Sequence, residues 1–511
     1  MDWLLQLPFA AQLAILFVLG LIIGSQINRA AYRLNSEPKH YDPWTPPLPE
    51  APPRAWSDYL PVVGWLGLRR EAELHGEYFW VRPMLVELCT GTFLACLWAW
   101  EMNNGLLASV VVATVDNAVL RSPDHLTALQ LQFLSHSVLF VLLMVASLID
   151  FDEKLIPDEI TTPGTLIGLF LFAACLPASL LPDTPPDTDG RFEVRSLLLS
   201  DPLPERDSSL RLKDNGEIAL DPKGAPGPSW PALLDGPIGL AAGISLYVIW
   251  WIAVVDLVIR PARGLATGAR LFFASIFRQR GLAWRLGLLI SGLVGVVIVW
   301  TLGHPGWPGL MSSLFGMMLG GGIIFMFRIV GGYFLSQEAM GYGDVTLMAM
   351  VGAFLGWQPT LIAIFLAPLF AVGFSVGQAI LTGKQDIYFG PFLSLAAMFV
   401  VTAWGVLWLD WGRPWFLGVL EFWQYSLALV IAFPLVMGIL LMITRSIRQR
   451  FWPDDYDDED LAVNRSSSRG AGQAASLAAA QEGYTPWWNS GQRCQLHPLR
   501  LPRSLQPPRR R

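Results

Sequence analysis

The feature that most limits what this chain can become is its series of apolar runs, many of them about 20 residues long. A helix rises 1.5 Å per residue, so a run of about 20 crosses the ~30 Å hydrocarbon core of a bilayer. Composition agrees. Hydrophobic residues make up 53% of the 511 and charged residues 15%, against about 25% charged in soluble domains. The chain reads as all-α, a polytopic transmembrane bundle of about 9–11 helices.

The first helix is expected at Gln12–Ala30. Its apolar stretch Ala10–Gly24 has no basic residue before it, while Arg29 and Arg33 follow. It therefore reads as a retained helix that starts outside and ends in the cytoplasm, not as a cleaved signal. The polar stretch Tyr32–Arg82 begins Pro-rich, carries Arg69, Arg70 and Arg82, and is expected in the cytoplasm. Further helices are expected at Pro83–Trp100, Leu129–Ile149, Thr162–Leu181, Gly236–Ile259, Leu286–Leu302 and Met311–Leu335. A short run at Val345–Trp357 precedes stretches at Thr360–Leu381, Pro391–Leu409 and Glu421–Thr444. Leu106–Leu120, which holds Asp116 and Asn117, is set outside as a surface or re-entrant piece. Pro182–Pro231, rich in Pro, Asp and Ser, is expected to be an extracytoplasmic insert, irregular or a tiny domain. From Phe451 the sequence reads as a disordered tail.

The expected divisions are 1–100, 125–182, 183–305, 306–445 and 446–511. Six arginines lie between Arg260 and Arg285, and such density beside helix ends marks a cytoplasmic loop. If each helix crosses once, the segments around Asp150 and Gly341 also come out cytoplasmic. The four cysteines, Cys89, Cys96, Cys175 and Cys494, form no CxxC. They suggest neither a disulfide framework nor a zinc site. The net charge of −6 is split between insert, tail and helix flanks, and no nucleic-acid partner is expected.

Charged groups in or at the ends of membrane helices are costly and so draw notice. Two places stand out: Leu148-Ile149-Asp150-Phe151-Asp152-Glu153-Lys154-Leu155-Ile156-Pro157-Asp158, and Gly341-Tyr342-Gly343-Asp344. Asp150 and Asp344 are 194 positions apart, yet equal sidedness would let them meet. Two close carboxylates cannot both ionise and share a proton. One can then act as base on a water and the other as acid toward a carbonyl oxygen, which is metal-free amide hydrolysis. Gly341 and Gly343 would let backbone approach backbone and hold an extended substrate. Acids at helix ends are also ordinary, and Asp152, Glu153, Lys154 and Asp158 read first as a solvated connection. On these residues alone a paired-aspartate enzyme and a cation transporter both stay open. The transporter would want polar residues along several helices and an internal repeat. Charges within helices are few and scattered (Glu87, Asp256, Arg328), and no repeat is visible.

Five blocks resemble the bacterial prepilin peptidases. MGYGDVTLMAMVGAFLGW is similar to that family's GxGD segment, and LIDFDEKLIPDEIT to its first aspartate segment. FVLGLIIGSQINRAAYRLN resembles its Gly-Ser-x-x-Asn helix. WSDYLPVVGWLGLRR followed by WVRPMLVEL resembles its cytoplasmic loop running into Tyr-Pro-x-Val-Glu, and FGPFLSLAAM its late helix start. The blocks keep the family's order from Phe17 to about Met398.

The resemblance implies a membrane aspartyl endopeptidase that removes the short basic leader of type IV prepilins or pseudopilins at the cytoplasmic face of the inner membrane. It places the catalytic aspartates on Asp150 and Asp344. Gly341, Gly343, Pro157 and Asp158 fall on supporting positions. Membrane lipid and prepilin-like substrates are the implied partners. Proteolysis itself implies no cofactor or metal, whereas methylation of the new amine would use S-adenosylmethionine. The chain departs from the family in lacking paired CxxC motifs in the loop, in Thr346 where Lys is common, in Tyr388 before Phe-Gly-Pro-Phe, and in the added segment Pro182 to about Leu302. A GxGD intramembrane protease is the rival within catalysis, and the other four blocks disfavour it.

Overall fold

The computed structural model of the protein describes residues 2–35, 43–104, 123–175, 210–212, 218–220, 234, 236–254, 282–303, 306–335, 340–382 and 389–407. The first long helix, α1 (Phe9–Leu34), follows Pro8 and stops where Asn35 turns extended. After the short α2 (Val63–Leu68) comes α3 (Val81–Asn104), which packs on α1 along glycines. A Cβ on Gly20 would stand 2.6 Å from the Gly91 Cα, and one on Gly24 would stand 2.6 Å from the Glu87 Cα. Small residues are what let membrane helices come this close.

The chain continues through α4 (Pro123–Glu153), α5 (Asp158–Leu166) and a π-helical extension of α5 over Ile167–Cys175. The remaining helices are α6 (Pro237–Val254), α7 (Leu282–Leu302), α8 (Gly306–Leu335), α9 (Tyr342–Leu355), α10 (Trp357–Thr382) and α11 (Phe389–Val406). Seven of these helices are long and apolar enough to cross a membrane, and α9 and α11 contain shorter apolar helices. The protein is a multi-pass helical membrane protein. The described helices belong to one unit of the chain, 1–255 with 283–442; the other, 256–282 with 443–511, lies outside the described residues apart from Leu282.

The innermost element is α9. Every residue from Asp344 to Leu355 is buried, and α8, α4, α5 with its extension, α10 and α11 all pack against it. At 14 residues it rises about 21 Å, less than the ~30 Å hydrocarbon core. A helix that is apolar all round belongs inside protein, and sheathing by its neighbours makes its short length tolerable. Gly356, at φ 80°, ends α9 and lets α10 begin at once, a backbone conformation that favours glycine.

Two expectations change in detail. Helix α4 runs through Glu153, four residues beyond the expected Ile149. It closes only at Lys154, whose left-handed φ of 56° turns the chain while its N–H bonds the Asp150 carbonyl at 2.9 Å. Asp150 is therefore a helical residue, not part of a loop. The Tyr32–Arg82 connection is also more ordered than its polarity suggested, with a 3-10 turn at Trp56–Tyr59, α2, and a turn of helix at Ala72–His75. Within the insert, Leu210–Leu212 pairs antiparallel with Ile218–Leu220. Leu106–Leu120, the rest of Pro182–Pro231, Arg260–Arg280, Glu421–Thr444 and the tail lie outside the described residues.

Candidate active site

Asp150 sits in the last turn of α4, 8% exposed. The backbone N–H of Gly390, second residue of α11, donates to its carboxylate. A Cβ on Gly390 would stand 2.6 Å from Asp150 Oδ2, so only glycine leaves the carboxylate in place. Among the described residues Oδ2 lacks a well-aligned hydrogen-bond donor. Beyond Lys154 the chain buries Ile156 and Pro157. Pro157 is the N-cap of α5, with Asp158 in its first turn, where an acid is favoured by the helix dipole.

Asp344 lies in the first turn of α9, also 8% exposed. Its carboxylate reaches back to accept from the Gly341 N–H, the reciprocal contact that a short acid at N3 makes with the N-cap. Gly341 is the N-cap, extended at φ −66°, and its side-chain position faces open space except for Asp344 Oδ2 at 3.5 Å. Gly343 is different. A Cβ there would stand 2.7 Å from Ile156 Cβ and 3.0 Å from the Ile156 nitrogen.

Ile156 is thus the wedge of the site. Its Cδ1 also lies 3.0 Å from the Cβ position of Gly390. One side chain on the α4–α5 turn fills the space left by two glycines, one opening α9 and one opening α11. That packing brings the two aspartate segments together, and the Asp150 charge acts directly on Asp344.

Three further residues act around the pair. Arg328 on α8 is 2% exposed, donates to the Met340 carbonyl at 2.8 Å, and stands over the Tyr342 ring at 5.9 Å. It holds both flanks of Gly341, and its charge reaches Asp344. Arg82, at the start of α3, pairs with Asp152 and donates to the Leu148 carbonyl at 3.1 Å. Asn35 donates to the other Asp152 oxygen at 3.2 Å. Asp152 therefore fastens the Asp150 turn to α1 and α3. Arg328 and Gly390 were missed from the sequence. The buried cation inside an apolar helix was a signal for the first, and the FGPF block for the second.

The loop before α3 is built on ion pairs. Arg54 grips Glu71 through two 3.2 Å bonds, both side chains buried, and His75 lies 3.5 Å from the same carboxylate. With no cysteine between Tyr32 and Arg82, this donor set does not fit a tetrahedral zinc site.

These features define a class: polytopic helical membrane proteins with a buried aspartate pair at meeting helix ends. The match to known proteins narrows it. Residues 277–376 match the type IV leader peptidase family, and Arg328, Gly341, Gly343 and Asp344 fall inside the matched stretch. The prepilin leader peptidase/N-methyltransferase of Aeromonas salmonicida is 30% identical over 26% of this chain and 42% of its own length. Its namesake in Escherichia coli is 28% identical over 29% of this chain and 68% of its own length. That of Pseudomonas aeruginosa is 35% identical over 19% and 32% respectively. The chain thus spans less than half the length of the first of these relatives. No solved structure matches.

Proposed function

We propose that this chain is a membrane aspartyl endopeptidase that uses Asp150 and Asp344 to cut the leader from type IV prepilin-like or pseudopilin substrates. The observation that supports the proposal is the Ile156 wedge, which packs against Gly343 beside Asp344 and against Gly390 beside Asp150, so that the segments carrying the two acids meet. In the step we propose, the ionised carboxylate takes a proton from water as the oxygen attacks the scissile carbonyl. The protonated partner gives its proton to the carbonyl oxygen. Collapse of the tetrahedral gem-diol breaks the C–N bond: the first carboxyl gives the proton it took from water to the leaving amine, and one diol hydroxyl returns a proton to the second carboxylate, which restores the pair. The extended backbone of Gly341, with open space at its side-chain position apart from Asp344 Oδ2, suits the close approach of an extended substrate strand.

The test is a mobility assay of a prepilin-like substrate in membranes. Asp150→Asn and Asp344→Asn keep size and polarity but cannot cycle a proton, so each is expected to abolish cleavage while still inserting. Substantial cleavage by either variant overturns the pair.

Orientation is part of the proposal: inner membrane, with the site toward the cytoplasm. Single cysteines at Ser208 and Thr267 should label from opposite sides of the membrane. Labelling of both from one side refutes it. The relatives are also named N-methyltransferases. Methylation of the freed amine would draw on S-adenosylmethionine, and the mass of the mature product made with and without it tests that second step.

A further inference from the structure

We infer that residues 56–68 are seated in the membrane, at the headgroup–acyl boundary beside the Val81 end of α3, and present Trp56, Tyr59, Leu60, Val63 and Leu66 to lipid. This inference stands apart from the proposed peptidase activity.

The argument rests on depth. Glu87 is the seventh residue of α3, about 9 Å along the helix from its start. Asn28 lies six residues before the end of α1, an equal depth on the neighbouring helix, and donates to the Pro83 carbonyl at 2.9 Å, with Glu87 Oε1 at 3.5 Å. The Glu87 side chain leans back toward the loop end, as helix Cβ atoms lean toward the N-terminus, which sets its carboxylate near the boundary of the acyl layer. There it accepts from the Val62 N–H at 2.5 Å and from Trp65 Nε1 at 2.9 Å. The loop therefore does not stand clear of the membrane. It reaches in to bind a carboxylate at that depth.

Burial divides this segment into two faces. Asp58, Gly64, Trp65 and Leu68 are buried, and Trp65 and Leu68 cluster with Tyr32 of α1. The other side is exposed, with Trp56 at 79%, Val63 at 55% and Leu66 at 53%. Five large apolar residues exposed within 11 positions would be a liability in water. At this depth the surroundings are lipid, and Trp and Tyr are residues that suit the interface. Arg69, exposed, follows the stripe, where anionic headgroups attract basic residues; Arg70 beside it is paired within the loop to Asp58. Val62 supports the same reading. It holds a φ of 63°, rare for a β-branched residue, and its N–H is the one bound to Glu87.

The test uses the full chain in lipid nanodiscs, its four native cysteines replaced, with a spin label on a single Trp56→Cys, Leu66→Cys or, as control, Glu73→Cys. Collision with oxygen is compared with collision with a water-soluble nickel chelate. Labels at positions 56 and 66 should favour oxygen several-fold over the label at 73. Nickel accessibility equal to that at 73 overturns the inference. So does shielding from both reagents, which would mean a second copy or another part of the chain covers the stripe. Nickel accessibility lost only when a prepilin-like peptide is added would make the stripe a substrate surface, and overturns it too. A variant with a lowered melting temperature is replaced by Tyr59→Cys.

Discussion

Two buried acids in this bundle are treated in opposite ways. Glu87 accepts hydrogen bonds from Val62, Trp65, Asn28 and Ser25. Among the described residues Asp150 has one donor, the Gly390 N–H, and Asp344 has one, the Gly341 N–H, while the Asp150 charge bears on Asp344. A carboxylate whose lone pairs are taken up by fixed donors is a fastener, because any change would strand those donors. Carboxylates with few fixed donors at the meeting point of helix ends suit the proton exchange that the proposed peptidase requires. The difference teaches where to look for chemistry in a membrane bundle. Burial alone marks both acids, and only the accounting of their partners separates them.

The sharpest way to break that contrast is at the pair itself. Asp150→Asn or Asp344→Asn should lower the cleavage rate at least about 100-fold, with the melting temperature of the purified protein close to that of the parent. Next are the glycines. Gly343→Ala and Gly390→Ala put a methyl against Ile156 and against Asp150, and should lower the rate by about 10- to 100-fold through misplacement, read as kcat in the same assay. Arg328→Gln removes the clamp on Met340 and should cost about tenfold in rate, with Arg328→Lys recovering part of it; equal rates for Gln and parent would leave Arg328 without a positioning role.

Glu87→Ala should act the other way round. It strands buried donors at about 1–3 kcal/mol each, so the melting temperature drops and trypsin reaches Arg69 and Arg70 more readily, while the rate per folded molecule stays within about threefold of the parent. A rate loss as large as at Asp150, in protein that melts normally, would erase the distinction between the two kinds of acid. The smallest effect is expected from metal removal: cleavage should be unchanged in EDTA, and loss restored by zinc would reveal a metal site that the described residues do not show.

Much of this could be read from the chain. The spans at Phe9–Leu34, Val81–Met102 and Gln130–Glu153 follow from apolar runs of the right length. The segments holding Asp150 and Asp344 declared themselves by carrying charge where charge is costly. What could not be read depends on partners remote in sequence. Glu87 looked like a stray charge because Val62 is 25 positions away and Asn28 is 59. Arg328 looked stray for a related reason, since its role is defined by the turn at Met340. The burial of α9 was hidden too, because a helix apolar on all sides has the same pattern whether lipid or protein surrounds it.

The Ile156 wedge also bears on how such a site can change over generations. Trimming Ile156 would not make room for a methyl at Gly343, where the backbone nitrogen and carbonyl of Ile156 crowd the position as well as its Cβ. Nor would it help at Gly390, where the nearest atom is the Asp150 carboxylate. No single compensating substitution at 156 opens a neutral path away from either glycine. Under the proposed activity, positions that never touch the scissile bond are then held as tightly as those that do, and drift in a lineage that keeps it should collect elsewhere, along the lipid-facing sides of the helices.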